Sequence, residues 1–184
     1  VKKGSSARQR LETFAGSKLL LMGSKAYRVK KLPHALEKKI DEAIERKMKI
    51  VVGEVPGACR LFQDYLRSRD YRDIVVGHAK SIRYNAGLWK TKQYGKSVSE
   101  REKSMIEECD SAIIIWQDTS GVIAENLELL KRQRKPTFLY EYSTKTGRAK
   151  TGWLDPERVY DPYYSWKEYM RKGVRRKKRC GGGI

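Results

Sequence analysis

Histidine, cysteine and proline are scarce in this 184-residue sequence, at two, three and five. Cys59, Cys109 and Cys180 are odd in number, stand far apart and form no C-x-x-C pair, which argues against a disulfide framework and against a tetrahedral zinc site. No metal site is expected, and a reducing, cytoplasmic compartment fits this cysteine usage. His34 and His78 are the only imidazoles, so histidine-based acid–base chemistry is thinly supplied. No apolar run approaches the ~18 to 20 residues that span a bilayer. The opening VKKGSSARQR lacks the apolar stretch of a secretory signal. Also missing are G-x-G-x-x-G, G-x-x-x-x-G-K-[ST] and G-x-S-x-G, which disfavours a dinucleotide oxidoreductase, a P-loop NTPase and a hydrolase nucleophile elbow. No cofactor is implied.

Acid is the other shortage. Asp and Glu total 22 against 41 Lys and Arg, a formal charge of +19. Residues 1–17 carry +3, residues 18–142 carry +8, and the shorter stretch 143–184 carries another +8. Such an excess attracts polyanions, and nucleic acid, DNA or RNA, is the commonest one. A membrane surface is disfavoured, because no basic helix with a broad apolar face is evident. The oligomeric state stays open, with a homo-oligomer compatible with the sequence.

The chain is nonetheless 39% hydrophobic, too apolar for a wholly disordered polymer. Five short apolar runs stand out: KLLLM at 18–22, KIVV at 49–52, DIVVG at 73–77, SAIIIW at 111–116 and PTFLYEY at 136–142. Between them lie segments with helical spacing. One over 34–47 has Leu36, Ile40, Ala43 and Ile44 on a stripe, and one opened by Pro56 carries Ala58, Leu61, Phe62, Tyr65 and Leu66. Another is expected to be capped by Ser99 with Glu102 completing a capping box, and the last covers 121–132. Unbroken apolar strands that alternate with helices predict an α/β fold, a doubly wound and mainly parallel Rossmann-like sheet of five or slightly more strands. The expected organisation is a basic N-terminal arm (1–17), this domain (18–142) and an aromatic, basic C-terminal extension (143–184). Residues 79–98 read as a long connection.

Ligands of open parallel sheets bind beyond the carboxyl ends of the strands. Gly23-Ser24-Lys25, Gly53 with Gly57, and Ser120-Gly121 all fall there. Glycine lets backbone N–H groups approach a phosphate, and a following helix adds a partial positive end. His78 closes the third strand at the same edge.

In this order the strand-end segments resemble the SLOG superfamily, which includes the Rossmann domain of DNA-processing protein A and the lonely-guy phosphoribohydrolases. LLLMGSKAY is similar to the first strand and its Gly-Ser-Arg turn. IVVGEVPGACRLFQDYL is similar to the Gly-Gly-x-x-Gly-Ala-Asp loop and helix, with Glu54 in place of the second Gly and Cys59 in place of the Asp. DTSGVIAENLELLKRQRKPTFLY is similar to the Gly-Thr-x-x-Glu loop, helix and final strand, with Val122 where that motif has Thr. The resemblance implies a site for a nucleotide or nucleotide-derived ligand at Gly23, Ser24, Lys25, Gly53, Gly57, Ser120 and Gly121. It also implies Arg101 and Glu125 as the positions matching the Arg and Glu of a glycosidic cleavage. The altered loops weaken the hydrolase case, and the expected reading is a ligand-binding domain without catalysis. Nucleotide N-glycoside hydrolysis and a structural role in a nucleoprotein assembly are the alternatives.

The C-terminal extension opens with STKTGRAKTG, which reads as a polar, glycine-containing linker, followed by Trp153, Tyr160, Tyr163, Tyr164, Trp166 and Tyr169. Arg171, Lys172 and the run Arg175, Arg176, Lys177, Lys178 and Arg179 complete it. Aromatic faces stack on unpaired bases, and Lys and Arg neutralise phosphates. The same aromatics could instead pack an arm onto the domain. Five consecutive charges cannot be buried, so that run lies in solvent or on phosphates. With Lys90, Lys92 and Lys96 of the 79–98 connection, these cations form the expected nucleic-acid contacts.

Overall fold

The apolar runs do form strands, and their neighbours are those a doubly wound sheet requires. The computed structural model describes residues 11–119 and 121–160. In chain order the elements are β1 (Lys18–Gly23), α1 (His34–Glu45), β2 (Lys49–Gly53), α2 (Ala58–Ser68), β3 (Ile74–His78), β4 (Lys90–Gln93), α3 (Val98–Glu108), β5 (Ser111–Gln117), α4 (Gly121–Arg132), β6 (Thr137–Ser143) and β7 (Arg148–Trp153). They build one seven-stranded sheet in the order β4-β3-β2-β1-β5-β6-β7, parallel except for β7. The chain runs outward from β1 to one edge, returns to place β5 beside β1, and runs outward to the other edge. The fold is a Rossmann-like α/β sandwich.

Alternation explains why the central runs are apolar throughout. Leu19, Leu21, Ile50, Val52, Ile113 and Ile115 join Leu36, Ile40, Phe62 and Leu66 of α1 and α2 on one face. Leu20, Met22, Val51, Ala112, Ile114 and Trp116 join Met105, Ile106, Ile123 and Leu127 of α3 and α4 on the other. Successive side chains point to opposite faces, and both faces are covered, so charge is confined to the strand ends, as at Lys18 and Lys49.

Several boundaries differ from the sequence expectation. The 79–98 connection contains β4, whose four residues KTKQ are all exposed and pair in parallel with β3. The polar stretch after Tyr142 is a β-hairpin rather than a linker, with β7 antiparallel to β6. Ser97, not Ser99, caps α3, its Oγ accepting from Glu100 N at 3.2 Å, while the Glu100 carboxylate accepts from Lys96 N at 2.7 Å. Pro56 lies in the turn before α2, and Gly57 is the N-cap. No helix among the described residues is long and apolar enough to cross a membrane.

The sheet draws in residues on both sides of 18–142. Phe14 is buried against Trp153, ring centroids 5.3 Å apart, and Arg46 Nη1 donates to the Phe14 carbonyl at 2.6 Å. Trp153 also meets Phe138 at 5.6 Å, and the Lys39 ammonium sits 5.2 Å from its ring centroid. Tyr160 is 1% exposed, tilts against Trp116, and accepts a hydrogen bond from Asp155 N at 3.1 Å. Both aromatics pack into the domain. The later aromatics and Arg171 through Arg179 lie outside the described residues. Truncating a buried aromatic of this kind costs about 3 kcal/mol. Tyr160→Ala is expected to lower the unfolding free energy by that amount, seen as a lower urea midpoint by circular dichroism. An unchanged midpoint would show that residues near 160 are not part of the core.

Candidate functional site

At the carboxyl edge, β1 and β5 are the neighbours between which the chain reverses direction, so their turns frame the crevice where open α/β sheets take ligands. Ser24 sits there and is buried. Its N–H donates to the Ile115 carbonyl at 2.9 Å and its Oγ accepts from Gln117 N at 2.8 Å, which ties the two strand ends together. Its carbonyl accepts from Tyr27 N and from Ala58 N, the first residue of α2, both at 3.2 Å. The helix start therefore rests on the β1 turn.

At three of the glycines expected at this edge, Gly23, Gly53 and Gly57, other protein atoms stand close by. A Cβ on Gly23 would lie 2.6 Å from the Ile115 carbonyl oxygen and 2.8 Å from the Ala58 Cβ. A Cβ on Gly53 would lie 2.9 Å from Cys59 Sγ. Gly57 has φ of 87° and ψ of −129°, a region closed to other residues, and a Cβ there would collide with the Lys25 carbonyl. Lys25 is exposed beside it, Gly121 is the first residue of α4, and Ser120 lies outside the described residues.

A buried charge network fills the neighbouring space. Glu54, at the end of β2, is 2% exposed and Arg101, on α3, also 2%. Arg101 Nη1 donates to Glu54 Oε1 at 2.8 Å. Arg83, from the segment after β3, holds the same carboxylate with Nε on Oε2 at 2.8 Å and Nη2 on Oε1 at 3.1 Å. Next to Arg101, Glu102 accepts from Asn126 Nδ2 of α4 at 2.9 Å. Gln63 bridges the segment to the sheet, its Nε2 donating to the Gly53 carbonyl at 2.7 Å and its Oε1 accepting from Ala86 N at 3.0 Å.

The electrostatics follow from these partners. Burial pushes the Glu54 carboxyl upward, but hydrogen bonds and charge from Arg83 and Arg101 outweigh it and hold it below the usual carboxylate range. Burial wins at Glu102 and raises its carboxyl, despite Asn126 and Arg101, with the charge of nearby Glu125 adding to the rise. Burial likewise pushes the Cys59 thiol up to about 11, so it stays protonated at neutral pH and is a poor nucleophile. Among the described residues no His, Cys, Asp and Glu cluster could hold a metal ion.

Arg101 and Glu125, the pair implied for glycosidic cleavage, fall on the adjacent helices α3 and α4. Glu125 is exposed, whereas Arg101 is buried and engaged by Glu54. Sequence reasoning noticed Glu54 only as a departure from a glycine. The signal it carried was physical: an acid directly after a strand buried on both faces must find a cation. His78 ends β3 with Nδ1 buried and without a hydrogen-bond partner. Lys90 and Lys92 lie on edge strand β4, with Lys92 Nζ 2.6 Å from Glu108, and Lys96 is exposed just after it. Cations on an edge strand also discourage pairing with another sheet, and Arg148 and Lys150 of β7 do so at the opposite edge.

No protein-family model and no curated protein matches the chain. The fold is that of a Rossmann-like α/β domain, with the β1 turn, the start of α2 and the Glu54 ion pairs packed together at its carboxyl edge.

Removing the carboxylate from a buried pair leaves a charge uncompensated and costs about 3 kcal/mol. Glu54→Gln is expected to destabilise the fold by that amount at neutral pH. Arg83 is 43% exposed on its side chain, so Arg83→Gln should cost less than about 1 kcal/mol. Because the folded Glu54 value lies below the unfolded one, its stabilisation is complete above the unfolded range and fades as pH falls through the folded value. Urea curves of wild type and Glu54→Gln should therefore converge in acid. A constant gap across pH would contradict the ion-pair account.

Proposed function

We propose that this protein binds DNA or RNA as a polyanion and catalyses no reaction on it, with the Rossmann-like domain as the scaffold for basic segments. The observation that carries this reading is the charge of +19, with seven cations gathered within residues 171–179. Exposed Lys90 and Lys96 supply further cations on the domain. Contacts of this kind are to phosphates, so preference among base sequences should be weak. Membership of the SLOG superfamily is part of the proposal. The strand order and the Gly-bearing turn after β1 support it, while Glu54 and Val122 depart from the family's loops.

Nucleotide N-glycoside hydrolysis is the second reading, favoured by the placement of Arg101 and Glu125 on the adjacent helices α3 and α4. It requires Arg101 to leave Glu54, and its signature would be free base released by wild type and not by Glu125→Gln. A structural part in a nucleoprotein particle would instead give co-purification with nucleic acid at fixed stoichiometry.

Contact with about six to eight phosphates gives a slope of log affinity against log salt of roughly −5 to −7. A chain ending at residue 170 loses seven cations and is expected to bind more weakly, its slope flattened by about 3 to 5 units. Filter binding over a salt series measures both. No binding by the full chain at low salt, or an unchanged slope after truncation, would overturn the assignment of the tail.

A further inference from the structure

Positive charge within the described fold is concentrated in a few connections. Residues 11–160 carry 29 basic and 20 acidic side chains, a net of +9. Three segments hold 12 of those cations and no acid: 24–31 after β1, 79–97 around β4, and 143–153 around the β6–β7 turn. Everything else has 17 cations against 20 acids, a net of −3. The whole positive excess of the described residues lies in these three segments, and each reaches the carboxyl edge of the parallel strands.

The segments are linked there by contacts. Tyr27 of the first packs edge-on against Tyr142, centroids 5.4 Å apart, just before the β6–β7 turn. Arg28 and Lys30 line a shallow, open depression of about 240 Å³ together with Gly57 and Arg60. Arg60 in turn lies over the ring of Tyr84 in the second segment, 4.8 Å from its centroid. Lys31 is paired with Glu37 and Arg83 with Glu54. Lys25, Arg28, Lys30, Arg60, Lys80 and Lys145 are exposed and have no acidic partner among the described residues. Asp64, the acid that borders the depression, accepts a hydrogen bond from the Tyr84 hydroxyl.

Unpaired cations along one edge repel each other and raise the local potential, and a polyanion laid across them relieves both. The edge from β3 to β6 covers four strand spacings, about 19 Å at ~4.8 Å each. One strand of B-DNA presents a phosphate about every 3.4 Å of helix axis. Six cations over that length suit the backbone of about five or six nucleotides. The glycine that lines the depression is pressed against protein backbone.

We propose that the carboxyl edge of the sheet, through Lys25, Arg28, Lys30 and Arg60, is a nucleic-acid contact surface in its own right, lying along a phosphodiester backbone and separate from the 171–179 run. This rests on the nucleic-acid reading above. It assigns a role to the β1–α1 segment that the +8 of residues 18–142 could not localise.

The test uses the full chain, with short random-sequence DNA duplex and single-stranded RNA of equal length as probes. The triple variant Lys25→Gln, Arg28→Gln, Lys30→Gln is compared with Lys47→Gln, Arg67→Gln, Arg132→Gln. The second set removes equal charge from exposed positions at the opposite edge, where the helices end. Each phosphate contact contributes about 0.7 to 0.9 to the salt slope, so the first variant should lose roughly 2 to 3 units and the control less than one. Equal slopes in the two variants, with wild type still binding, would overturn the edge surface and leave the nucleic-acid reading standing. Failure of wild type to bind either probe at low salt would remove that reading too. Matching urea midpoints confirm that both variants are folded, since none of the six side chains is buried.

Discussion

The close approach of the β1 turn to the start of α2 is the constraint on which the carboxyl edge depends. One residue, Ser24, joins β1 to β5 through its N–H and Oγ and accepts two backbone N–H groups through its carbonyl. That approach is possible only because Gly23 and Gly57 present no side chain to the backbone opposite. A helix start that in many α/β folds faces a phosphate here faces the protein's own carbonyl. Glu54 takes a comparable position at the next strand end, where its carboxylate occupies Arg101 and Arg83.

Beyond these buried contacts, the properties of this edge are those of its exposed side chains. Lys25, Arg28, Lys30, Lys80 and Lys145 are exposed along it. Asp118, exposed after β5, and Asp64, beside the depression, are acids at this edge, yet the three connections that reach it carry 12 cations and no acid while the rest of the described fold is slightly acidic. An edge with an excess of cations raises association rates with polyanions and makes binding salt-dependent, without reading sequence.

The sheet was largely legible in the sequence because its central strands are buried on both faces, which leaves runs such as SAIIIW with no alternative placement. The edge strands were not legible. KTKQ has no apolar residue, and it is held as β4 by backbone pairing to β3 and by the Lys92–Glu108 ion pair. RAKTGW is exposed along nearly its whole length and reads as a linker until it meets β6. The α3 cap was misplaced by two residues because Ser97 and Ser99 offer the same side chain, and only the chain's exit from β4 decides between them. At the site, glycine positions were visible but not what they approach. The Glu54–Arg101 pair spans 47 residues, beyond the reach of any local spacing rule. The charge excess was plain in composition, whereas its collection on one edge needed the strand order.

The central claim is that this protein recognises a polymer of phosphates and not a single nucleotide. Isothermal titration at low salt addresses it directly, comparing nucleoside mono- and diphosphates with an oligonucleotide of the same bases. Saturable heat from the oligonucleotide, weakening steeply with added salt, and none from the mononucleotides is the predicted result. Saturable mononucleotide binding that persists as salt rises would contradict the account and return function to the crevice.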